Sequence, residues 1–529
     1  MTFTTRRIRE EKPSRWKALA AKAAPYALKA GELFVGLYGK WKVRHEAEVT
    51  HNHRVRILKK IAIILSSVLL GVIILAGTVN ALISLRILTI HSFLSITGAN
   101  LAEDKNGFTN ILLLGVGDKN HEGVDLTDSI MVVSLDPWHT RSAVMLSLPR
   151  DLYVLKTEKM GTGRINELYR NYKYSLIRKG TAKDVASQES LKELARELGN
   201  QLGIVIQYTA KVDFTAFVEG VNALGGVDID VPHDIVDPEY PGPDYTFETF
   251  SIQKGPQHLD GETALKYARS RHSTSDFSRS ARQQQLLQAL GDKARAQGIA
   301  SSPGTVTSML KILSDHVETT MTFGEILGAA KLGEQIDRKS IISETLSDEA
   351  GIFTGVASPG GFLYSPPRED FDGASVLLPY SIPEFPVTWR QIQAFVRLLM
   401  QNRAMYLKKP KIMILNAGAK SGTAWTLGNE LTRYGFDDIE TDNATEDKKH
   451  PLKLPATVVI AQTKAENGMA QFFATLLHLP VSPLPDGIDP VKQGPVTIVL
   501  GTDYSYKPLQ NLLPPTVLPP TPPEMKKQP

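Results

Sequence analysis

Arg269, Arg271, Arg279, Arg282 and Gln283 crowd into fifteen residues of this chain, with Asp276 among them. A guanidinium meets phosphate in a flat, two-pronged contact that lysine does not reproduce. On a helix over 277–297, Arg279, Arg282 and Gln283 fall at i, i+3 and i+4 and share one face. Arg269 and Arg271 share a side only where their segment is extended. Such a cluster reads in two ways: a solvated basic face, or a grip on a phosphate-bearing ligand. Cations gathered around one pocket repel each other unless an anion or carboxylate offsets them.

An ordered series of blocks precedes the cluster. Residues 110–118 read NILLLGVGD, a strand pattern ending in two glycines and Asp118. Residues 127–129 (TDS, with Asp128) open a second apolar run over 130–135, and a third over 143–148 leads into Pro149, Arg150 and Asp151. GRIN follows at 163–166, ALGGVDIDVP at 223–232 and LDGETALKYA at 259–268. Asp118 and Asp128 each stand at the end of an apolar strand, where a parallel-type sheet places its ligand crevice. Two carboxylates beside water or phosphate oxygens suit Mg²⁺, and the other reading of each is a turn or helix cap. A general base stays open among Asp118, Asp128 and Asp276.

In its order this series resembles the LytR–CpsA–Psr family of bacterial cell-wall enzymes over about 110–290. The resemblance implies that Asp118 and Asp128 bind Mg²⁺ and that Arg269, Arg271, Arg279 and Gln283 hold a pyrophosphate. Arg282 is grouped with them, a structural role being its alternative. Arg164 stands where the family often has lysine, so a fork replaces a point charge. Arg150 has a salt bridge to Asp151 as its other reading and is placed, with Asp118, Asp128 and Arg271, in the catalytic set. LTDS at 126–129 replaces the family's RSDT, keeping the aspartate and losing an arginine. The implied substrate is a glycopolymer on polyprenyl pyrophosphate. Its phosphoglycosyl end passes to a peptidoglycan hydroxyl and polyprenyl phosphate leaves. Two alternatives stand beside this: hydrolysis of the pyrophosphate by water, and a non-catalytic wall-polymer-binding or regulatory protein.

These residues need a frame. The 529-residue chain exceeds one ordinary domain. It has no cysteine, which excludes disulfides, zinc-thiolate sites and a cysteine nucleophile. Residues 1–60 hold 15 Lys/Arg against 5 Asp/Glu, while the chain as a whole is only +4. Residues 61–85 follow without a charged side chain, long enough to span a bilayer core as a helix. Lys59 and Lys60 precede them, so the positive-inside rule predicts a cytoplasmic amino terminus and an extracytoplasmic remainder at a bacterial cell membrane. The basic arm sets topology and touches anionic headgroups. No recognition motif supports nucleic-acid binding.

The expected class is α/β. A transmembrane helix and a connector (86–107) lead to an α/β/α catalytic domain with a central mixed sheet over 108–407, its core at 110–300. A smaller α/β domain over 410–505 resembles the accessory carboxy-terminal domain of some family members, and is read as a binding or packing module. A proline-rich, disordered tail is expected over 506–529. Helices are expected at 188–202, 214–224, 260–268, 277–297, 303–315, 322–335 and 389–407. G-x-S-x-G and H-E-x-x-H motifs are absent.

Overall fold

Uninterrupted apolar runs build the central sheet. β1 (Thr109–Val116), β2 (Thr127–Asp136) and β3 (Ser142–Leu148) bury apolar residues on both faces. Leu112, Leu114, Ile130, Val132, Val144 and Leu146 join one core cluster, and Ile111, Leu135 and Ala143 join another. In this computed structural model the described residues are 100–118, 124–242, 246–270, 276–298, 316–347, 361–381, 387–445 and 451–515. The basic arm, the 61–85 span, Arg271, the helix expected at 303–315 and the tail beyond 515 lie outside them. Among the described residues no helix is long and apolar enough to cross a membrane.

The first three strands correct one expectation. They pair antiparallel, β1 with β2 and β2 with β3, so the site does not sit at a purely parallel edge. Five residues between β2 and β3 cannot make the crossover that a parallel pair needs. The chain continues through α1 (Ile165–Arg178), α2 (Lys183–Leu202), β4 (Tyr208–Asp213) and α3 (Phe214–Ala223). β5 (Val227–Val231), β6 (Ile235–Pro241), β7 (Phe247–Ile252) and β8 (Gly255–Leu259) form two antiparallel pairs, β5 with β8 and β6 with β7. With α4 (Gly261–Arg269) and α5 (Asp276–Ala296) they enclose a separate apolar cluster around Val221, Val227, Tyr267 and Leu286.

β9 (Val317–Thr319) joins β4 antiparallel, and β4 lies parallel to β1. After α6 (Phe323–Glu334), β10 (Ile341–Thr345) closes the sheet parallel to β3. The six-stranded order is β9-β4-β1-β2-β3-β10, a mixed sheet. Leu168, Leu191 and Leu194 of α1 and α2 cover one face, and Ala329 and Leu332 of α6 cover the other. The α/β/α layering follows.

The helix expected over 389–407 is two, α7 (Arg390–Gln401) and α8 (Arg403–Lys408). Asn402 interrupts them, its Nδ2 donating to Leu398 O at 3.0 Å in competition with the helical ladder. Beyond it β11 (Ile412–Asn416), α9 (Thr423–Arg433), β12 (Ile439–Asn443), β13 (Val458–Ala461), α10 (Asn467–Leu477) and β14 (Val496–Leu500) make a smaller α/β unit. Its sheet order is β12-β11-β14-β13. Residues 506–515, expected in the extended tail, instead pack. They hold the short helix α11 (Leu509–Leu512), whose buried Leu509 donates its N–H to Glu430 Oε1 at 2.9 Å. One apolar cluster runs from Leu112 through Phe395 and Tyr406 to Ile414 and Phe473.

Candidate active site

Asp118 leaves β1 and reaches the first turn of α3, where its Oδ1 accepts the Thr215 N–H at 3.1 Å. Beside that turn the Arg269 guanidinium lies 4.4 Å from the Phe214 ring centroid, and its Nη1 donates to Tyr240 Oη at 3.1 Å. Asp213 caps the same helix, accepting the Ala216 N–H at 2.9 Å with Oδ1, while Oδ2 lies 2.7 Å from His316 Nδ1.

Gln283 of α5 links this corner to β2. Its Nε2 donates to Ala268 O at 3.4 Å, and its Oε1 accepts the Ser129 hydroxyl at 2.8 Å. Ser129 pairs with Gly115, where a Cβ would stand 2.9 Å from that of Ser129. Glycine is what lets the two strands close there. Register then jumps from Gly115–Ser129 to Val116–Thr127, which leaves Asp128 as the extra residue of a β-bulge. Bulges re-aim a side chain out of the ladder, and Asp128 is so turned.

Asp128 Oδ1 accepts from Arg150 Nη1 at 3.2 Å and Asn166 Nδ2 at 3.5 Å. Arg150 also lies 3.7 Å from Asp151, and Arg164 bridges Asp151 at 3.6 Å and Glu167 at 2.5 Å. The Glu167 hydrogen bond holds the Arg164 guanidinium above its ordinary pKa against some desolvation. Asp118 and Arg269 thus meet adjacent residues of α3 (Thr215 and Phe214), Gln283 joins Ala268 to Ser129, and Asp128 meets Arg150, which shares Asp151 with Arg164.

One residue of the cluster lies elsewhere than the sequence grouped it. Arg282 is buried, donating from Nε to Tyr267 O at 2.8 Å and from Nη2 to Ser270 O. It serves the carboxyl end of α4, and burial lowers its pKa. Arg279, one turn earlier on α5, is also buried. Three further groups join the site that sequence reading did not assign: Asn166, Ser129 and Tyr240. The GRIN and TDS blocks contained two of them, but neutral side chains at strand and helix starts carry no signal of their partners.

Arg150 Nε, Asn166 Oδ1 and Ser270 Oγ are buried without a hydrogen-bond partner. Buried polar atoms are nearly always satisfied, and the two beside Asp128, Arg150 Nε and Asn166 Oδ1, keep capacity for water or ligand atoms. The donor set suits Mg²⁺. Asp118 and Asp128 would offer hard oxygen donors, each with a second oxygen that takes no hydrogen bond among the described residues, and the Asp128 side chain is 43% exposed. Among the described residues no group of three His, Cys, Asp or Glu could hold a metal, and Mg²⁺ asks for only one or two carboxylates.

Comparison with known proteins identifies relatives of this chain. The LytR_cpsA_psr family profile matches residues 91–365, and that of the LytR cell envelope-related transcriptional attenuator matches 409–504. Polyisoprenyl-teichoic acid–peptidoglycan teichoic acid transferase TagV of Bacillus subtilis (strain 168) is 31% identical over 309 residues, 55% of this chain and 71% of that protein. Cell wall biosynthesis protein LcpA of Corynebacterium glutamicum is 25% identical over 372 residues, 66% of each chain. The crystal structure of B. subtilis TagV covers 56% of this chain and 98% of its own at 26% identity, with a TM-score of 0.40.

Proposed function

Because this chain belongs to the LytR–CpsA–Psr family, we propose that it is a phosphotransferase joining a polyprenyl-pyrophosphate-linked glycopolymer to peptidoglycan. The observation that carries the reading is the series Asp128–Arg150–Asp151–Arg164 at the bulge of β2, in which guanidinium forks alternate with carboxylates.

A peptidoglycan hydroxyl attacks the sugar-proximal phosphorus. A new phosphodiester P–O bond forms, the bridging P–O bond breaks, and polyprenyl phosphate leaves with the electron pair. The hydroxyl proton passes to a base, for which the sequence offers Asp118, Asp128 and Asp276. Arg150 and Arg269 orient the diphosphate and offset charge developing on its oxygens, which is most of what phosphoryl transfer asks of a protein. The idle Arg150 Nε is a donor for one of those oxygens. Arg164 and Arg271 add positive charge, and Arg279 and Gln283 support the wall from α5. Asp118 and Asp128 would hold Mg²⁺, which supplies neutralisation of the phosphate charge when bound.

Residues 61–85 would anchor the chain in the bacterial cell membrane with its amino terminus in the cytoplasm, keeping the catalytic unit beside a lipid substrate. Transfer from a synthetic lipid pyrophosphate-linked glycan to peptidoglycan, measured with and without Mg²⁺, tests the reading. Asp128→Ala and Arg271→Ala are expected to abolish product, and retention of wild-type transfer by both would sink it. Release of free phosphoglycan without an acceptor would mark hydrolysis instead.

A further inference from the structure

Three residues before Asp128, Asp125 does the opposite of an exposed ligand. Its backbone is left-handed (φ 65°) and it is 9% exposed. Its Oδ2 accepts from Lys173 Nζ of α1 at 2.8 Å, and Oδ1 from Lys211 Nζ of β4 at 3.4 Å. Lys211 also donates to Glu318 of β9 at 2.8 Å and to Tyr169 Oη at 3.0 Å. Both ammonium groups lie over the Tyr169 ring, at 5.4 and 4.8 Å from its centroid. The Ser187 hydroxyl donates to Glu318. Asp125, Lys173 and Lys211 are buried while Glu318 reaches the surface, so removing Asp125 or Lys173 strands a buried charge.

A second pin lies beside it. Thr127 is fully buried, and its hydroxyl donates to Asn166 O at 3.3 Å, while Asn166 Nδ2 reaches Asp128 at 3.5 Å. The start of β2 is therefore fastened to α1 on both sides of Leu126, immediately before the bulge.

We propose that Asp125 is a positioning residue: its buried ion pairs with Lys173 and Lys211 fix the start of β2 so that the bulge presents Asp128 to the metal. This rests on the reading of Asp128 given above. Groups that orient a metal ligand from behind change metal affinity or activity by about 10–100-fold when removed.

Asp125→Asn removes the charge and keeps a residue type that tolerates the left-handed backbone. Asp125→Asn combined with Lys173→Met removes one charge of each sign, so Lys211 and Glu318 still balance and folding is protected. The full-length chain is measured two ways: Mg²⁺ concentration for half-maximal transfer, and the Mg²⁺-dependent rise in melting temperature without lipid substrate. In the double variant both half-saturation values are expected to rise by about 10–100-fold. KM for the lipid pyrophosphate and the metal-free melting temperature stay at wild-type values. A double variant with wild-type half-saturation on both measurements overturns the proposal. Wild-type protein that transfers without responding to Mg²⁺ overturns the metal reading of Asp128, and unchanged kcat in the double variant would then overturn the clamp as well.

Discussion

Arg150 and Arg403 carry the same guanidinium to opposite ends. Arg403 is 2% exposed, donates to Met400 O at 2.9 Å, Ser134 O at 2.9 Å and Ser142 O at 3.3 Å, and stacks 4.2 Å from the Phe108 ring centroid. Burial pulls its pKa down to about 10. The Arg150 side chain is 25% exposed, pairs with the Asp128 and Asp151 carboxylates, and keeps Nε without a hydrogen bond. A guanidinium saturated by carbonyls is scaffold, because fixed backbone cannot yield its place to a ligand. One held by carboxylates near water can exchange them for phosphate oxygens at small cost. Arg282, bonded to two carbonyls, falls on the scaffold side of this division.

The division is tested hardest by Arg150→Ala. Loss of a preorganised charge at the reacting phosphorus is expected to lower kcat by about 10²–10³-fold. The melting temperature should stay close to wild type, and a fall in both would erase the distinction. Arg403→Met should do the reverse, costing about 2–3 kcal/mol in urea unfolding because carbonyls are left unmet. Turnover per folded molecule stays unchanged.

A pH-dependent effect separates the seam between the two sheets from both arginines. Glu344 lies against Gly435, and burial, with the Asp437 charge adding, pushes its carboxyl up to about 8. A carboxyl raised in the fold contributes stability below its unfolded value of about 4.3, and that contribution is lost as pH rises. Unfolding free energy should therefore decline from about pH 4.3 to about 8 in the wild type and stay flatter in Glu344→Gln. The mildest test is Thr322→Ala, which breaks the capping box with Glu325 at the start of α6. About 1 kcal/mol of stability is expected to go, with no change in transfer.

Much of the frame was legible because β1, β2 and β3 are uninterrupted apolar runs and α3 to α6 have clear starts. α1 escaped notice for a physical reason. Its inward face carries Asn166 and Lys173, polar groups that meet partners inside the protein and so break the apolar stripe. β12 escaped because four of its five residues are exposed on an edge strand. At the site, the residue types and order of the cluster were readable, but Arg279 and Arg282 looked alike. What separates Arg282 is a pair of carbonyls twelve and fifteen residues back along the chain. The bulge at Asp128 was equally hidden, since one residue of register leaves no trace in composition.

The apolar cluster shared by both sheets has a practical outcome. Phe395 stacks on Phe362 at 4.8 Å and faces Tyr434 at 6.3 Å, and Tyr406 stacks on Phe436 at 5.0 Å. Trimming the chain after residue 408 would strip the far wall from Phe395 and Tyr406 and leave a greasy scar for other molecules to stick to. The two lobes are therefore partners in solubility, and anyone expressing the first alone should expect it to clump.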